Sequence, residues 1–186
     1  MAWKETHKQA TREKILASAA KLFAVKGFEG VGIDEVMQDA GLTRGAFYAH
    51  FSSKSKLYEE SILNSAKRVR SRLLPDEGYC FSLSDIANSY LGQEHFRSLD
   101  MRCPLSSLIT DVTQQDEVVR EVYTRVFNGF VGRLVNETGI SREDALQKAV
   151  LMVGGMAIAR ALTDESLSEE LLEVCSASVA TSGTFA

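Results

Sequence analysis

The residues best suited to recognising another molecule lie in one short segment, residues 43–50. They belong to a stretch from Ile33 to Phe51 that has the pattern of two short amphipathic helices joined by a turn at Gly41, as in a helix-turn-helix. In that motif the second helix enters the major groove of DNA, where its exposed side chains meet base edges and phosphates. Any helical hairpin with a glycine turn has a similar pattern, so packing without DNA stays an alternative. The side chains expected to be exposed are Thr43, Arg44, Gly45, Ala46, Tyr48, Ala49 and His50.

The side-chain chemistry of this second helix suits a nucleic acid. Arg44 carries a planar guanidinium group that can donate two parallel hydrogen bonds to guanine. The side chains at positions 45, 46 and 49 are small, so the helix backbone could approach DNA closely. The pattern therefore favours a surface that reads base edges.

Residues typical of catalysis and metal binding are scattered along the chain. The histidines and cysteines are isolated, and no HExxH motif, paired-carboxylate signature or glycine-rich phosphate loop occurs. We therefore expect no enzymatic activity, no metal and no cofactor. The odd, widely spaced cysteines fit a reduced, cytoplasmic protein, and neither a signal segment nor a membrane span is expected. The residues in question are His7, His50, His95, Cys80, Cys103 and Cys175.

Charge is distributed unevenly along the chain. The formal net charge of the whole chain is −4. Residues 1–56 hold nine basic and six acidic side chains, a net charge of +3, whereas the remainder holds 12 basic and 19 acidic side chains, a net charge of −7. A basic N-terminal region followed by an acidic body indicates two different tasks, with nucleic-acid binding suited to the first.

The hydrophobic pattern predicts an all-α protein. Apolar residues recur at three- and four-residue spacing, no strand-length alternation occurs, and the chain has only two prolines, Pro75 and Pro104. A turn is expected at residues 75–78. The spacing predicts about nine helices, at 7–26, 33–40, 44–50, 54–74, 84–91, 104–113, 116–137, 142–162 and 166–180.

The residues around the helix pair resemble a known family. The segment from Phe47 to Leu57, FYAHFSSKSKL, is similar to the signature of the tetracycline-repressor (TetR) family of bacterial transcription regulators. The resemblance extends upstream to residues 34–41, to Gly27-Phe28 and to residues 19–23, AAKLF, and it covers about residues 10–60. One departure is Gly32, where the family usually has Thr or Ser as the cap of the second helix. Glycine also caps acceptably, so this departure puts one phosphate contact in doubt and not the fold.

The resemblance implies a role for each matching residue. Thr43, Arg44, Gly45, Ala46 and Tyr48 would lie in the recognition helix, His50 would face the DNA backbone, and Lys54 would bind phosphate. A lysine near a helix N-terminus suits this role because the dipole and free N–H groups there already favour an anion. A tyrosine hydroxyl can donate to phosphate while its ring meets a thymine methyl group. The alternatives are a half-buried core aromatic for Tyr48 and a helix C-cap for His50.

The last two long helices are expected to form a dimer interface. Gly154-Gly155 lies inside an apolar helix, and each glycine costs about 1 kcal/mol relative to alanine, so close approach between helices should compensate. In the resembled family these helices pair with those of a second subunit as a four-helix bundle, and packing within one chain is the alternative. The predicted interface residues are Leu151, Gly155, Ile158, Leu162, Leu167, Leu171, Val174 and Val179.

The resemblance implies a homodimeric, ligand-responsive DNA-binding regulator, a repressor released from a palindromic operator by a small apolar effector. Residues 1–56 would form a three-helix DNA-binding domain, and residues 57–186 would form a helical domain for effector binding and dimerisation. The candidate effector-binding residues would equally suit a plain hydrophobic core. They are Tyr90, Phe96, Cys103, Leu108, Tyr123, Phe127, Phe130, Met152 and Met156.

The rival interpretation is a helical small-molecule-binding or thiol-reactive sensor that binds no operator. Its reactive group would be Cys103, which is expected near the N-terminus of the helix that starts at Pro104, where a thiolate is stabilised. The basic N-terminal region discriminates between the two interpretations, because such a sensor would not need it.

Overall fold

The computed structural model describes residues 2–73 and 81–181, except for the side chains of residues 2–5. Within these residues all regular secondary structure is helical, as the sequence predicts, and none of the helices found there is long and apolar enough to cross a membrane. The predicted turn at 75–78 and Cys80 lie outside the described residues. The eleven helices that the described residues form are α1 Ala2–Lys26, α2 Ile33–Asp39, α3 Arg44–Phe47, α4 Lys54–Leu73, α5 Leu83–Leu91, α6 Gln93–Arg97, α7 Pro104–Ser107, α8 Ile109–Val112, α9 Glu117–Thr138, α10 Arg142–Ala161 and α11 Glu165–Ala180.

Three features differ from the predicted helices. The helix α1 begins at Ala2. The prediction placed its start at residue 7 because the first turns lack the apolar stripe on which the prediction relied. The short helix α6 was not predicted. The predicted helix 104–113 is two helices, α7 and α8, separated by Leu108 with φ −115° and ψ 6°. The hydroxyl groups of Ser106 and Ser107 both donate to the carbonyl oxygen of Cys103, which competes with the regular backbone ladder just before the break.

The chain divides into two compact units that differ from the predicted domains. One unit contains Met1–Arg68 and Leu99–Tyr123, and the other contains Val69–Ser98 and Thr124–Ala186. The boundary predicted at residue 56 therefore lies inside α4, and the segment Leu99–Tyr123 belongs with the N-terminal helices.

An aromatic cluster forms the core of the first unit. Tyr58 of α4 is fully buried, and its ring lies 4.8 Å from that of Phe23 and 5.1 Å from that of Phe28, between ring centroids. The helix α1 ends at Gly27, which has φ +69°, a left-handed conformation that glycine adopts without strain. This turn carries Phe28 back toward α4, so the cluster fixes the direction in which the chain enters α2.

The helices α5, α10 and α11 pack together in the second unit. A β-carbon at Gly155 of α10 would lie 2.8 Å from the sulfur of Cys175 in α11, so the missing side chain allows these two helices to approach closely. The end of α11 is held by Lys148 of α10, which is 5% exposed. Its ammonium group donates to the carbonyl oxygens of Val179 at 3.0 Å and Thr181 at 2.8 Å. A buried lysine thus satisfies carbonyl groups that have no partner within the helix.

We predict that Lys148→Met destabilises the protein, because methionine keeps the apolar stem but removes both hydrogen bonds at the end of α11. The expected loss in free energy of unfolding is about 1–2 kcal/mol, measured by urea denaturation. The matched control is Lys67→Met on the exposed surface of α4, which should change stability by less than about 0.5 kcal/mol. Equal stability of the two variants would contradict the capping role of Lys148.

Candidate nucleic-acid interface

The helices α2 and α3 form a helix-turn-helix anchored by buried side chains. Val36 and Met37 of α2 and Phe47 of α3 are buried. Between the two helices Gly41 has φ +69°, and the amide of Leu42 donates to the carbonyl oxygen of Met37 at 2.8 Å. This turn redirects the chain so that α3 packs by one face only, and its opposite face is left exposed.

The residues predicted to recognise DNA lie on and beside the exposed face of α3. Tyr48 is 61% exposed, which excludes the half-buried core position considered as its alternative. Its ring contacts that of the fully buried Phe47 edge to face at 5.2 Å. The helix itself ends earlier than predicted, at Phe47, and residues 48–50 form a turn. Thr43, Arg44 and Gly45 are exposed, while Ala46, His50 and Lys54 are half-buried.

Packing within the protein does not explain why residue 45 is a glycine. A β-carbon built there would meet no heavy atom of the described residues within 4 Å, and the residue is exposed. Glycine weakens a helix relative to alanine, and here no packing within the protein compensates for that loss. The missing side chain instead leaves the α3 surface flat, so a surface outside the protein can approach the backbone closely.

Arg44 is held in place by two neighbours. Its guanidinium group donates to the carboxylate of Asp34 in α2 at 2.6 Å. A side-chain hydrogen bond with Tyr48, together with the charge of Asp34, raises the pKa of Arg44, so the group is charged at all physiological pH values. Both members of the Arg44–Asp34 pair are exposed, so the pair orients the arginine more than it stabilises the fold.

Positive charge gathers near the end of α3. The charges of Lys8 and Arg12 in α1 act on His50, although burial is the larger cause that lowers the pKa of this histidine. His50 is therefore neutral at pH 7 and could meet a phosphate only as an N–H donor. Lys54 is the first residue of α4, and its ammonium group lies 4.2 Å from the centre of the Phe28 ring.

Ion pairs neutralise most of the other basic side chains of the N-terminal region. The pairs within the first unit join α1 to α2, α1 to α4 and residues of α4 to each other. No carboxylate of the described residues pairs with Lys8, Lys14 or Lys54, so these lysines contribute most to the net positive charge. The paired residues are Arg12–Glu60, Lys21–Asp39, Lys26–Glu35 and Lys56–Glu59.

Sequence reasoning missed three residues of this surface. Asp34 orients Arg44, Phe28 supports Lys54, and Lys8 lies close enough to act on His50. None of these residues shares a helix with its partner, so helical spacing gives no signal for the contact. Only the excess of basic residues in α1 pointed toward Lys8.

The residues predicted for a dimer interface lie on two different faces of α10 and α11. Ile158, Leu167 and Val174 are exposed, and Leu151, Leu162 and Leu171 are partly exposed. Gly155 and Val179 are buried within the chain, so neither is exposed to a second subunit in this structure. Helical periodicity identifies an apolar stripe, but it does not show which edge of the stripe another helix of the same chain covers.

The same outward face carries apolar residues that the sequence interpretation did not include. Val150 is 63% exposed, and a shallow groove beside it has a volume of about 420 Å³ and is lined by Leu146, Gln147, Val150 and Leu151. Gly154 lies one helical turn further along α10. A β-carbon there would meet no heavy atom of the described residues within 4 Å, so it is Gly154 and not Gly155 that leaves outward space.

The candidate effector-binding residues divide between the two units. Cys103, Leu108 and Tyr123 lie in the first unit, where burial and the nearby Cys103 raise the pKa of Tyr123 to about 12. The other six lie in the second unit, where the ring centroids of Tyr90 and Phe130 are 5.4 Å apart. Met152 and Met156 are fully buried. The six residues are Tyr90, Phe96, Phe127, Phe130, Met152 and Met156.

A buried histidine beside this cluster was not predicted to bind a ligand. His95 has no exposed surface, and its ring lies 4.9 Å from that of Tyr90. Its Nδ1 is 2.6 Å from the carbonyl oxygen of Tyr90 and must donate to it, because a carbonyl only accepts. Burial lowers the pKa of His95 to about 4, so the ring is neutral at pH 7. Its Nε2 is then an acceptor with no hydrogen-bond partner among the described residues.

Comparison with known proteins agrees with this geometry. Residues 15–61 match the family model for bacterial regulatory proteins of the tetR family. The HTH-type transcriptional regulator LmrA of Bacillus subtilis is 25% identical over 154 residues, which cover 76% of this chain and 80% of LmrA. A TetR transcriptional regulator from Chloroflexus aurantiacus has a TM-score of 0.72 at 27% identity, with 94% of each chain covered.

The reduced form of E. coli NemR has the same fold, with a TM-score of 0.70 at 24% identity over 91% of this chain and 95% of NemR. The matching region contains α2, the turn at Gly41 and α3, which are the elements that expose Arg44 and Tyr48. These likenesses and the helix-turn-helix geometry show that the chain belongs to the TetR family of bacterial transcriptional regulators.

Proposed function

We propose that this protein is a cytoplasmic DNA-binding repressor that reads a palindromic operator with α3. The observation that carries the proposal is the exposed surface of α3, where Gly45 leaves room for a close approach that nothing inside the protein uses. Arg44 and Tyr48 lie on the same surface and can reach base edges in the major groove. Lys54 at the start of α4 would bind a phosphate, where the helix N-terminus adds to its charge.

The proposed DNA binding is tested by selecting bound sequences from a pool of random duplexes. We expect enrichment of a palindrome whose half-sites are about one helical turn, roughly 34–36 Å, apart. Because phosphate contacts release counterions, the affinity for the selected duplex should fall by orders of magnitude between about 50 and 200 mM salt. Failure to enrich any sequence, or affinity that does not depend on salt, would contradict the proposal.

Two variants separate the roles of the proposed contacts in the same experiment. Lys54→Ala should weaken binding to selected and random duplexes by the same factor, because a phosphate contact carries no sequence information. Arg44→Ala should weaken the selected duplex more and relax the preference at one base pair, a loss of about 1–3 kcal/mol. The control is Lys67→Ala on the exposed face of α4, which should change neither quantity.

We further propose that the outward faces of α10 and α11 form a homodimer interface. A palindrome requires two recognition helices, and a single helix-turn-helix contacts too little DNA for tight specific binding. The exposed apolar residues of these helices recur at helical spacing around Gly154, which would let a helix of a second copy approach closely. The proposed interface residues are Leu146, Val150, Leu151, Gly154, Ile158, Leu162, Leu167, Leu171 and Val174.

We predict that Val150→Asp converts the dimer to a folded monomer. Val150 is exposed in the single chain, so an aspartate there leaves the monomer intact but places a charge in the proposed apolar interface. Light scattering after size-exclusion chromatography at micromolar concentration would measure the mass. The matched control is Val118→Asp on α9, an exposed valine outside the proposed interface, which should stay dimeric. The opposite pattern would place the interface elsewhere.

We also propose that a small apolar effector binds in the second unit and causes the protein to release the DNA. The six candidate residues of that unit offer aromatic and methionine surfaces, and the Nε2 acceptor of His95 could receive a hydrogen bond from an O–H or N–H group of the effector. The binding-competent and released states would differ in the spacing of the two recognition helices, so the effector would shift their populations.

The predicted coupling is reciprocal. An effector found by thermal-shift screening should lower DNA affinity through a coupling of about 1–3 kcal/mol, and operator DNA should lower effector affinity by the same factor. Tyr48→Ala should lose DNA binding and keep the effector, whereas Met156→Trp should lose the effector and keep DNA binding. Titration of each variant with both ligands measures these affinities. A wild-type protein without reciprocity would rule out the two-state switch, and Met156→Trp that still binds effector would show that the site lies elsewhere.

A further inference from the structure

A single carboxylate joins three elements of the first unit that are far apart in sequence. Asp111 lies in α8, and its Oδ1 accepts a hydrogen bond from the backbone amide of Phe28 at 2.9 Å. Its Oδ2 accepts a hydrogen bond from the hydroxyl group of Tyr58 in α4. One side chain therefore connects the turn after α1 with the first two turns of α4.

The turn after α1 is built around this carboxylate. A β-carbon at Gly27 would lie 2.6 Å from Oδ1 of Asp111, so the space next to the glycine is filled by the aspartate. The Tyr58 hydroxyl is buried, and both burial and the hydrogen bond to Asp111 raise the pKa of Tyr58, so it stays a proton donor. The Tyr58 hydroxyl group can thus donate to Asp111 across the physiological pH range.

Phe28 and Tyr58 also connect Asp111 to Lys54, the residue proposed to bind phosphate. The ring of Phe28 contacts both the Tyr58 ring, at 5.1 Å between centroids, and the ammonium group of Lys54, at 4.2 Å from the ring centre. The ring face attracts the cation and limits the directions in which the lysine side chain can extend. Lys54 and Tyr58 are also one helical turn apart in α4. The position of the ammonium group therefore depends on Phe28 and Tyr58, which Asp111 holds.

We propose that Asp111 is a positioning residue for DNA binding, which holds Phe28 and Tyr58 so that Lys54 presents its ammonium group to a phosphate. This inference rests on the proposed DNA-binding function. It places a residue of the segment Leu99–Tyr123, outside the family-matched region of residues 15–61, in control of a DNA contact. Asp111 itself does not touch the DNA in this arrangement.

The test is a double-mutant cycle between Asp111 and Lys54 on a random-sequence duplex, with affinity measured by fluorescence anisotropy over a range of salt concentrations. In the wild-type background Lys54→Ala should weaken binding about tenfold and lower the log–log salt slope by about 0.9, the value for one phosphate contact. Asp111→Ala should produce much of the same loss. In the Asp111→Ala background, Lys54→Ala should then cost less than about twofold, because the misplaced lysine no longer binds its phosphate.

This readout separates positioning from stability. A purely structural aspartate would lower the folded fraction without changing the salt slope or the effect of Lys54→Ala, so each variant is measured at a temperature where circular dichroism shows it fully folded. Asp111→Asn keeps a carbonyl acceptor for the Phe28 amide and should restore most of the coupling. Tyr58→Phe, which removes one hydroxyl group and keeps the ring, provides a milder variant if Asp111→Ala does not fold.

The control is Asp116→Ala in the same segment. Asp116 accepts a hydrogen bond from the Val119 amide at 3.0 Å at the start of α9, so its loss should affect stability but neither the salt slope nor the Lys54 effect. Additive losses for Asp111→Ala and Lys54→Ala would overturn the positioning role. If wild-type protein shows no salt-dependent DNA binding at all, the proposed function itself fails, which is a different outcome from additivity.

Discussion

A helix of four residues is not stable by itself in water, and this constraint determines how the helix-turn-helix is built. Forming the first helical turn fixes several backbone dihedrals for a single hydrogen bond, so α3 depends on packing against its neighbours. Phe47 and Phe51 supply that packing, with no or almost no exposed surface and ring centroids 5.9 Å apart. Because one face of so short a helix is committed to the core, the opposite face is fixed in position and presented to solvent. The exposure of Arg44 and Tyr48, on which the proposed recognition depends, is therefore a consequence of how α3 is anchored.

The electrostatics of the first unit follow from the same arrangement. Packing α1 against α2 and α4 brings basic residues of α1 close to acidic residues of both helices, and the resulting ion pairs remove most of the N-terminal charge from long-range action. Of the lysines without an ion-pair partner among the described residues, Lys8 acts on His50 just after α3, and Lys54 is the first residue of α4. A net charge of −4 for the whole chain is therefore compatible with DNA binding, because the field near the interface depends on the local excess.

Local signals in the sequence predicted most of the helices and the proposed recognition surface. Glycines with positive φ follow α1 and α2 near the predicted ends of these helices, and α10 begins at the predicted residue, Arg142, directly after a Ser141 side chain that accepts a hydrogen bond from the Asp144 amide. These features depend on residues within one or two helical turns of each other. Asp111 shows what sequence reasoning could not reach, since its partners lie 83 and 53 residues away and no spacing rule connects them. The break at Leu108, where α7 ends and α8 begins, was also not predicted, because the apolar pattern continues through it.

The surroundings of each glycine show whether packing within the chain requires it, which the sequence alone does not show. Gly154 and Gly155 are adjacent and both interrupt an apolar helix, yet only Gly155 is required by a neighbour within the chain, the side chain of Cys175. Gly154 and Gly45 face open space, so the helix-weakening effect of each is uncompensated in the single chain. Open space beside a helical glycine does not by itself identify a contact site, because a β-carbon at Gly129 or Gly132 of α9 would also meet no heavy atom of the described residues within 4 Å. At Gly45 and Gly154 the exposed neighbouring side chains make the open space suitable for the proposed partners, DNA beside Arg44 and Tyr48 and a second copy of the chain beside Val150 and Ile158. Under the proposed function these two surfaces would be coupled, because the distance between the recognition helices of a dimer would be set by how its two copies pack.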